Sequence, residues 1–186
     1  MKRITDIVCS CMLLILFLPL MVIISVAIIF SSGFPVIHWS KRFGKNNKLF
    51  NMPKFRTMKV STPKVATHLL EDPNSHVTLI GSFLRKTSLD ELPQAWSILI
   101  GDMSLVGPRP ALFNQYDLMA LRAENGVEKL TPGLTGWAQI NGRDDVNIVD
   151  KVQLDVYYLK NISFKLDIKI CLLTVYCAIK QAGISH

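Results

Sequence analysis

The sequence predicts an α+β fold that is mostly helical, has a small β element and carries a membrane-inserted segment near its N-terminus. Three observations predict it: a long uncharged apolar stretch, several segments with helical periodicity, and short extended segments confined to the region after that stretch. The 186 residues suit one compact domain beside such a segment. We therefore expect a membrane anchor over residues 1–35 and a second domain over residues 36–186.

The composition favours a membrane surface or phosphorylated ligands as partners. Hydrophobic residues make up 49% of the chain, and the formal net charge is +7. Basic, apolar proteins are attracted to anionic headgroups and phosphates. We do not expect nucleic acid as a partner, because the basic clusters lack interleaved aromatics and recognised binding motifs. Neither the four cysteines nor the histidines have the spacing of a disulfide framework or a zinc site.

The apolar stretch from Ile7 to Phe30 contains no charged residue. As a helix it would extend about 36 Å, enough to cross a hydrocarbon core. A cleaved signal peptide is disfavoured, because the stretch continues past the small-residue pattern at residues 25–27. Pro19 removes a backbone hydrogen bond and bends a helix, and basic residues flank both ends. The residues alone leave a spanning helix and a re-entrant one equally open.

Strands and then helices are predicted after the anchor. The predicted strands are Val36–Trp39 and Leu49–Met58, and the predicted helices are Thr78–Lys86, Leu92–Ile100, Ala111–Glu124 and Phe164–Gln181. The last helix is amphipathic and suits either the core or a membrane interface. We expect an irregular loop over residues 60–75. The segment Thr131–Arg143 holds three glycines and a proline, which predicts a structured loop rather than a regular element.

Asp90 and Glu91 are adjacent carboxylates at the predicted start of a helix. Ser88 and Glu91 have the spacing of a capping box, which is the commoner meaning of such a pattern. Free N–H groups and the helix dipole would keep an acid ionised there. An ionised Asp90 near Arg85 suits attack on phosphorus, and its carboxylate equally suits Mg²⁺, which prefers oxygen ligands and substrate phosphates.

Arg109 and the glycine-containing segment are candidates for ligand binding. Arg109 lies between two prolines that would aim its guanidinium, whose planar fork suits phosphate, although a surface salt bridge is an equally good interpretation. Gln139 and Arg143 offer an amide and a guanidinium in a segment that lacks the spacing of a Walker loop or a dinucleotide fingerprint. Asp155 and Asp167 are further carboxylates, for which surface or capping roles are the default.

Together these segments resemble the bacterial sugar transferase family, the small monotopic phosphoglycosyl transferases. The motifs that carry the resemblance follow one another in order: KFRTM at 54–58, SLDELPQ at 88–94, GDMSLVGPRP at 101–110, PGLTGWAQINGR at 132–143 and DVYY at 155–158. With the N-terminal anchor they cover nearly the whole chain. Several long motifs in one order are far more specific than a single Asp-Glu pair.

The resemblance implies a re-entrant helix-break-helix kinked at Pro19, followed by a catalytic domain with interfacial amphipathic helices. It implies a UDP-sugar donor, undecaprenyl phosphate as acceptor, Mg²⁺ as cofactor, and the cytoplasmic face of the bacterial inner membrane as location. Asp90 would attack the sugar-linked phosphorus and contact the metal, and Glu91 would complete the dyad. The expected substrate-binding residues are Lys54, Arg85, Arg109, Gln139, Arg143, Asp155 and Asp167.

The chain departs from the family pattern at four positions. Ser40 stands where Gln is common, Pro53 where an aromatic or aliphatic residue is usual, and Thr131 where a basic residue precedes Pro-Gly. Leu18 rather than a small hydroxyl residue precedes Pro19. These departures leave the expected nucleophile in place and bear on substrate detail and on the geometry of the bend.

Two other functions remain open at this point. One is a catalytically silent, membrane-bound interaction protein with the same fold, and the other is a nucleotide-sugar phosphatase that uses water as acceptor. The sequence does not specify the sugar, the glycan pathway or whether the chain forms a homo-oligomer.

Overall fold

The computed structural model describes residues 2–62, 72, 74–142 and 147–182, with side chains up to residue 177. It is mostly helical with two small two-stranded sheets, which confirms the predicted mixture. The helices are α1 Lys2–Ser32, α2 Leu79–Lys86, α3 Gln94–Ile100, α4 Tyr116–Glu124, α5 Trp137–Asn141, α6 Ile148–Lys160 and α7 Phe164–Ala182. The strands are β1 Ile37–Phe43, β2 Leu49–Phe55, β3 Ser104–Val106 and β4 Gly133–Thr135.

Among the described residues, α1 is the one helix long and apolar enough to cross a membrane. Only 11% of its most apolar 18-residue window is buried against the rest of the chain. A core helix of a soluble protein would be mostly buried, so α1 is a candidate membrane segment. Its helical assignment continues through Pro19 without interruption.

The first turns of α1 are bonded to the domain that follows. Lys2 Nζ lies 2.7 Å from Asp167 Oδ2, and the guanidinium of Arg3 donates to the carbonyl oxygens of Ile98 and Leu99 at 2.6 and 2.7 Å. The buried Asp6 carboxylate accepts hydrogen bonds from Ser104 Oγ and from the backbone N–H of Leu105. Polar contacts therefore fix the N-terminal end of the apolar helix to the domain that follows it.

The opposite end of α1 is also held by that domain. Ile24 and Ile28 are buried against Phe55 and Leu84. Arg56 donates to the carbonyl oxygen of Ser32 at 2.8 Å, where the unpaired carbonyls of a helix C-terminus attract a cation. Many other apolar side chains of α1 are exposed, including Met12, Ile15, Leu16, Leu18, Val22, Ile23 and Phe30.

Strands β1 and β2 form an antiparallel hairpin in which His38 pairs with Lys54. Strands β3 and β4 form a short parallel pair. Gly107 directly follows β3, and Gly133 is the first residue of β4. Their backbones approach so closely that a Cβ on Gly133 would lie 2.1 Å from the Gly107 nitrogen, which leaves room only for glycine. A buried cluster of Met52, Ile98 and Met103, against which Leu105 and Leu134 pack, holds the hairpin, α3 and the parallel pair together.

Several predicted elements are confirmed, and others are corrected. Helix α2 begins after Thr78, whose hydroxyl accepts from the backbone N–H of Gly81, and α3 ends at Gly101 in the left-handed region with φ 100°. The prediction of an irregular structured loop over Thr131–Arg143 is wrong over most of its length, because β4 and α5 form there. Helix α6 was not predicted, since its buried face includes the polar Asp155.

Exposed apolar side chains spaced by about one helical turn lie on α2, α3 and α7 as well as on α1. Helix α2 exposes Leu79 and Phe83, and α3 exposes Trp96 and Ile100. Helix α7 exposes Phe164, Ile168, Leu172, Val175 and Tyr176. Such contiguous apolar faces are typical of helices that lie against a membrane or another protein.

Candidate active site

The two adjacent carboxylates lie on a 3₁₀ turn, Leu89–Glu91, directly before α3. Ser88 precedes this turn with φ 56° and makes no side-chain capping hydrogen bond. The predicted capping box is therefore wrong, because an N-cap residue needs an extended backbone to aim its hydroxyl at the next turn. The left-handed Ser88 instead turns the chain sharply after α2.

The carboxylate turn packs against a hydrophobic cluster that includes residues of the apolar helix α1. Leu89 and Leu92, which flank the two acids, pack against the cluster that contains Ile24 and Ile28 of α1. This packing buries the Asp90 residue to 9% exposure. The turn thus places a nearly buried carboxylate beside the candidate membrane segment.

Lys54 is the cation closest to both acids. Its Nζ lies 2.6 Å from Glu91 Oε1 and 3.9 Å from Asp90 Oδ2. Strand β2 supplies this side chain from the hairpin, opposite the turn. The resemblance alone indicated Lys54 as a site residue, and the structure brings it to the dyad.

Arg109 and Arg42 also lie near Glu91. Arg109 Nη2 is 3.5 Å from Glu91 Oε1. Arg42 donates to Ser40 Oγ at 3.0 Å and to the carbonyl oxygen of Pro110 at 3.2 Å. Burial, and then the neighbouring Arg109, lower the pKa of Arg42 to about 10, so it remains charged at neutral pH. These two guanidinium groups line a narrow cleft with Glu91 and Gln94.

Arg85 approaches the site from α2. Its Nε donates to Thr57 Oγ1 at 2.9 Å, and its charge acts on Asp90 to favour ionisation. The exposed guanidinium has N–H groups left for a ligand. Lys54, Arg109, Arg42 and Arg85 therefore surround the two carboxylates with positive charge.

The two carboxylates differ in their electrostatics. Burial raises the pKa of Asp90, and the charge of Glu91 adds to that rise, while Lys54 and Arg85 oppose it. Burial also opposes ionisation of Glu91, but Lys54 and Arg109 outweigh it and hold the pKa of Glu91 below its usual value. The expectation that the turn itself would keep Asp90 readily ionised is therefore corrected: desolvation dominates there.

Gln139 lies in α5, and its side chain is close to the backbone of Gly136. A Cβ on Gly136 would lie 2.6 Å from Gln139 Oε1. Both polar atoms of the Gln139 amide are buried and lack a hydrogen-bond partner among the described residues. Arg143, predicted to bind substrate with Gln139, lies outside the described residues.

Asp155 and Asp167 are each paired with a basic residue. Asp155 Oδ2 accepts from Nε and Nη2 of Arg122 at 3.0 and 2.7 Å in the interior. Asp167 binds Lys2 and accepts the Tyr158 hydroxyl at 2.7 Å. In this structure both acids are bonded to protein groups, and their predicted role in binding substrate stays a prediction.

The residues present fit a magnesium ion that is shared with a substrate. Within the described ranges, no group of three or more His, Cys, Asp or Glu is arranged to hold a metal. Asp90 supplies one carboxylate at the cleft, and Mg²⁺ commonly combines one or two carboxylates with substrate phosphates and water. The arrangement does not provide an all-protein cage.

Comparison with known proteins assigns the chain to a family. The model of the family described as bacterial sugar transferase matches residues 1–181. The chain belongs to the bacterial sugar transferase family. The predicted resemblance is thereby confirmed, and it covers both the apolar helix and the carboxylate site.

Characterised and uncharacterised members of the bacterial sugar transferase family are similar to the chain. It is 41% identical to the UDP-glucose:undecaprenyl-phosphate glucose-1-phosphate transferase of Escherichia coli (strain K12), with 95% of this chain and 39% of that protein covered. It is 37% identical to the undecaprenyl-phosphate galactose phosphotransferase of Salmonella typhimurium, with 98% and 41% covered. An uncharacterised Bacillus subtilis sugar transferase, EpsL, is 39% identical, with 100% and 91% covered. The chain thus spans about two fifths of the first two relatives and most of the third.

The site of this family member contains residues that sequence reasoning missed. Arg42 was not proposed as a site residue, although its charge lies close enough to Arg109 to act on it. Arg122 was not considered at all, because nothing local in the sequence marks its partner 33 residues away. Gln94 was quoted only as part of a motif, and its buried amide faces the cleft lined by Glu91.

Proposed function

We propose that this protein is a phosphoglycosyl transferase that moves a sugar 1-phosphate from a UDP-sugar to undecaprenyl phosphate and releases UMP. This would be an early membrane step in the synthesis of a bacterial glycoconjugate. The names of the E. coli and Salmonella relatives describe glucose- and galactose-phosphate transfer involving that lipid. Testing several UDP-sugars as donors would identify the sugar that this chain transfers.

One observation carries the proposal: a nearly buried carboxylate, surrounded by cations, lies beside a hydrophobic cluster that includes residues of the apolar helix. Lys54 and Arg85 both act on the charge of Asp90, and the neighbouring Leu89 packs against the cluster that contains Ile24 and Ile28 of α1. Phosphoryl transfer depends mainly on positioning and on positive charge around the transferred group. A lipid phosphate held at a membrane surface would reach this site beside the helix.

The chemistry we propose has two displacements at one phosphorus atom. An oxygen of the Asp90 carboxylate attacks the phosphorus bonded to the sugar, and the bond from that phosphorus to the bridging oxygen breaks, so UMP leaves with the electron pair. A phosphate oxygen of the lipid then attacks the same phosphorus and displaces Asp90, whose carboxylate is restored. Each step exchanges one high-energy phosphorus–oxygen bond for another, so neither wastes the activation of the donor.

Charged residues would divide the work of stabilising these steps. Lys54 and Arg85 would offset negative charge near the attacked phosphorus, and Arg109 with Arg42 would face the phosphate on the Glu91 side. The raised pKa of Asp90 makes its ionised form a stronger nucleophile. Bound magnesium, held by Asp90 and the substrate phosphates, would neutralise charge on the phosphates and aid departure of UMP.

We further propose that α1 enters and leaves the bilayer on the cytoplasmic side. A straight helix of 31 residues is about 45 Å long, so a spanning α1 would carry one end across the membrane, away from the domain. Contacts of Arg3 with α3, and of Ser32 with Arg56, support a bend that keeps both ends on one side. The exposed apolar faces of α2, α3 and α7 would lie against the same surface.

The proposal is tested by trapping the intermediate. Purified protein is mixed with Mg²⁺ and each of several UDP-sugars without lipid, then denatured and weighed by intact-mass spectrometry. We expect a mass increase of one sugar phosphate on the native protein with the correct donor, mapped to Asp90, and none on Asp90→Asn. UMP release should continue beyond one turnover only when undecaprenyl phosphate is added.

Three results would contradict the proposal. Release of UMP by Asp90→Asn at the native rate would exclude covalent catalysis at this residue. Sustained turnover without lipid would identify a phosphatase that uses water. Failure of every donor to give UMP or an adduct, with lipid bound normally, would indicate a silent interaction protein.

A further inference from the structure

We infer that Arg122, braced by Asp155, is a positioning residue that sets where the Arg109 guanidinium stands. This inference rests on the proposed function, because it assigns Arg109 to the phosphate of that reaction. Nothing in the motifs singles out Arg122. The case follows from how the Arg109 segment is held.

The guanidinium of Arg122 is almost completely buried and uses three of its N–H groups. Nε and Nη2 donate to Asp155 Oδ2, and Nη1 donates to the backbone carbonyl oxygen of Arg109 at 3.0 Å. Arg122 is 4% exposed and Asp155 is 2% exposed. A buried ion pair with well-formed hydrogen bonds is rigid, since any movement leaves a charge unpaired.

The Arg109 side chain itself has little to hold it. Its relative exposure is 45%, and Nη2 reaches Glu91 only at 3.5 Å. Its position is therefore set mainly by its backbone. Arg122 binds the Arg109 carbonyl, Arg42 binds the Pro110 carbonyl, and the backbone N–H of Phe43 donates to the carbonyl oxygen of Ala111 at 2.9 Å. Three consecutive carbonyls are thus fixed.

Of the two side chains that make these bonds, Arg42 lines the cleft and Arg122 does not. Arg42 faces the cleft and acts on Glu91 directly, so its replacement would mix positioning with charge. Arg122 is bonded to Asp155 and to the Arg109 backbone in the interior. Its effect on the reaction should therefore pass through Arg109. A lysine could not substitute, because one ammonium lacks the fork that binds Asp155 and the carbonyl together.

The test replaces the ion pair as a unit, because removing one partner would leave a buried charge and endanger folding. R122M/D155L is compared with the native protein, in full-length chains reconstituted in lipid nanodiscs, by kcat/KM for UMP release. We expect a loss of roughly 10- to 100-fold, the cost of displacing a positioned group by about an ångström. When Arg109→Ala is already present, the same pair of substitutions should lower kcat/KM by less than about 2-fold. The effect of the pair passes through the Arg109 side chain, which is then absent, so the substitutions should not be additive.

The matched control changes two polar residues at the ends of the same two helices, α4 and α6, away from the cleft. N125A/N161A removes the exposed side-chain hydrogen bonds from Asn125 to the carbonyl oxygen of Leu121 and from Asn161 to that of Tyr157, and should leave UMP release near the native value. Equal losses from R122M/D155L in the native and Arg109→Ala backgrounds would overturn the inference, since the pair would then act on the domain as a whole.

A second readout does not depend on activity. Hydrogen–deuterium exchange of peptides covering residues 107–112 should increase in R122M/D155L and stay native-like in N125A/N161A. Unchanged exchange in this segment would refute the positioning role even if activity fell. A native protein that releases no UMP from any donor would refute the proposed function, while the exchange data would still decide whether Arg122 holds the segment.

Discussion

Lys54 Nζ is bonded to Glu91 Oε1 at 2.6 Å, so the ammonium is committed to the second carboxylate of the dyad. The same nitrogen is 3.9 Å from Asp90 Oδ2, close enough to influence its ionisation without forming a hydrogen bond. The dyad is therefore asymmetric. Glu91 forms the ion pair with Lys54, whereas the Asp90 carboxylate accepts no hydrogen bond from Lys54 and can react with a ligand.

The asymmetry predicts opposite shifts of the pH profile for two neighbouring substitutions. The proposed attack needs ionised Asp90, whose pKa is raised, so UMP release should fall as pH drops through that raised pKa. Lys54 lowers the pKa of Asp90, so Lys54→Met should move the acid limb to higher pH. Glu91 raises it, so Glu91→Gln should move the limb to lower pH. The measurement is kcat/KM for UMP release against pH.

Lys48→Met is the control for this profile, because Lys48 is an exposed lysine at the hairpin turn, and its acid limb should match the native one. Movement of the limb in one common direction for Lys54→Met and Glu91→Gln would show that Asp90 does not control it.

Arg109 should be sensitive even to a conservative change. A guanidinium donates two parallel hydrogen bonds to a phosphate, whereas an ammonium acts as a point charge. Arg109→Lys should lower kcat/KM for UMP release by about 10- to 100-fold, the equivalent of a charged hydrogen bond worth about 1.5–3 kcal/mol. Lys45→Ala, on the exposed hairpin turn, is the control. Native kcat/KM in Arg109→Lys would exclude bidentate contact with the reacting phosphates.

Much of the fold was readable from local signals, while the site was assembled by long-range contacts. Helices α2, α3 and α7 were predicted because caps, glycine stops and periodicity act within a few residues. The approach of Lys54 to Glu91 depends on the hairpin docking beside α3, which no local pattern encodes. Only the family resemblance indicated it. The Arg122–Asp155 pair escaped prediction for the same reason. From the sequence alone Asp155 looks like a surface acid, and only the structure shows that it is buried.

Gly81 is predicted to be essential for docking α2 against the segment that follows β2. A Cβ on this residue would lie 2.0 Å from the carbonyl oxygen of Thr57, the residue whose hydroxyl accepts from Arg85. Alanine is the better helix former by about 1 kcal/mol, but overpacking against backbone costs about 1–3 kcal/mol and should prevail. Gly81→Ala should lower the apparent Tm in nanodiscs and weaken UMP release by moving Arg85.

Ser82→Ala is the matched control for Gly81, because it changes the next position of the same helix and Ser82 is only half-buried. A Tm for Gly81→Ala equal to or above that of Ser82→Ala would mean that α2 does not pack as closely on Thr57 as the structure shows.

Membrane topology provides the last prediction, and it concerns Pro19. In a chain with Cys9, Cys11, Cys171 and Cys177 replaced by alanine, one cysteine is inserted between Met1 and Lys2, and in a second chain Lys41 is replaced by cysteine. We expect both cysteines to react with an impermeant maleimide in inside-out vesicles and to be protected in intact spheroplasts.

Pro19→Ala restores the backbone donor that proline lacks, which favours a straight helix. It should therefore expose the N-terminal cysteine to the outside in a fraction of molecules while residue 41 stays inside. If, in the chain that keeps Pro19, one cysteine reacted only in inside-out vesicles and the other only in spheroplasts, α1 would be a spanning helix. The contacts of Lys2 and Arg3 with the domain could not then form in the membrane.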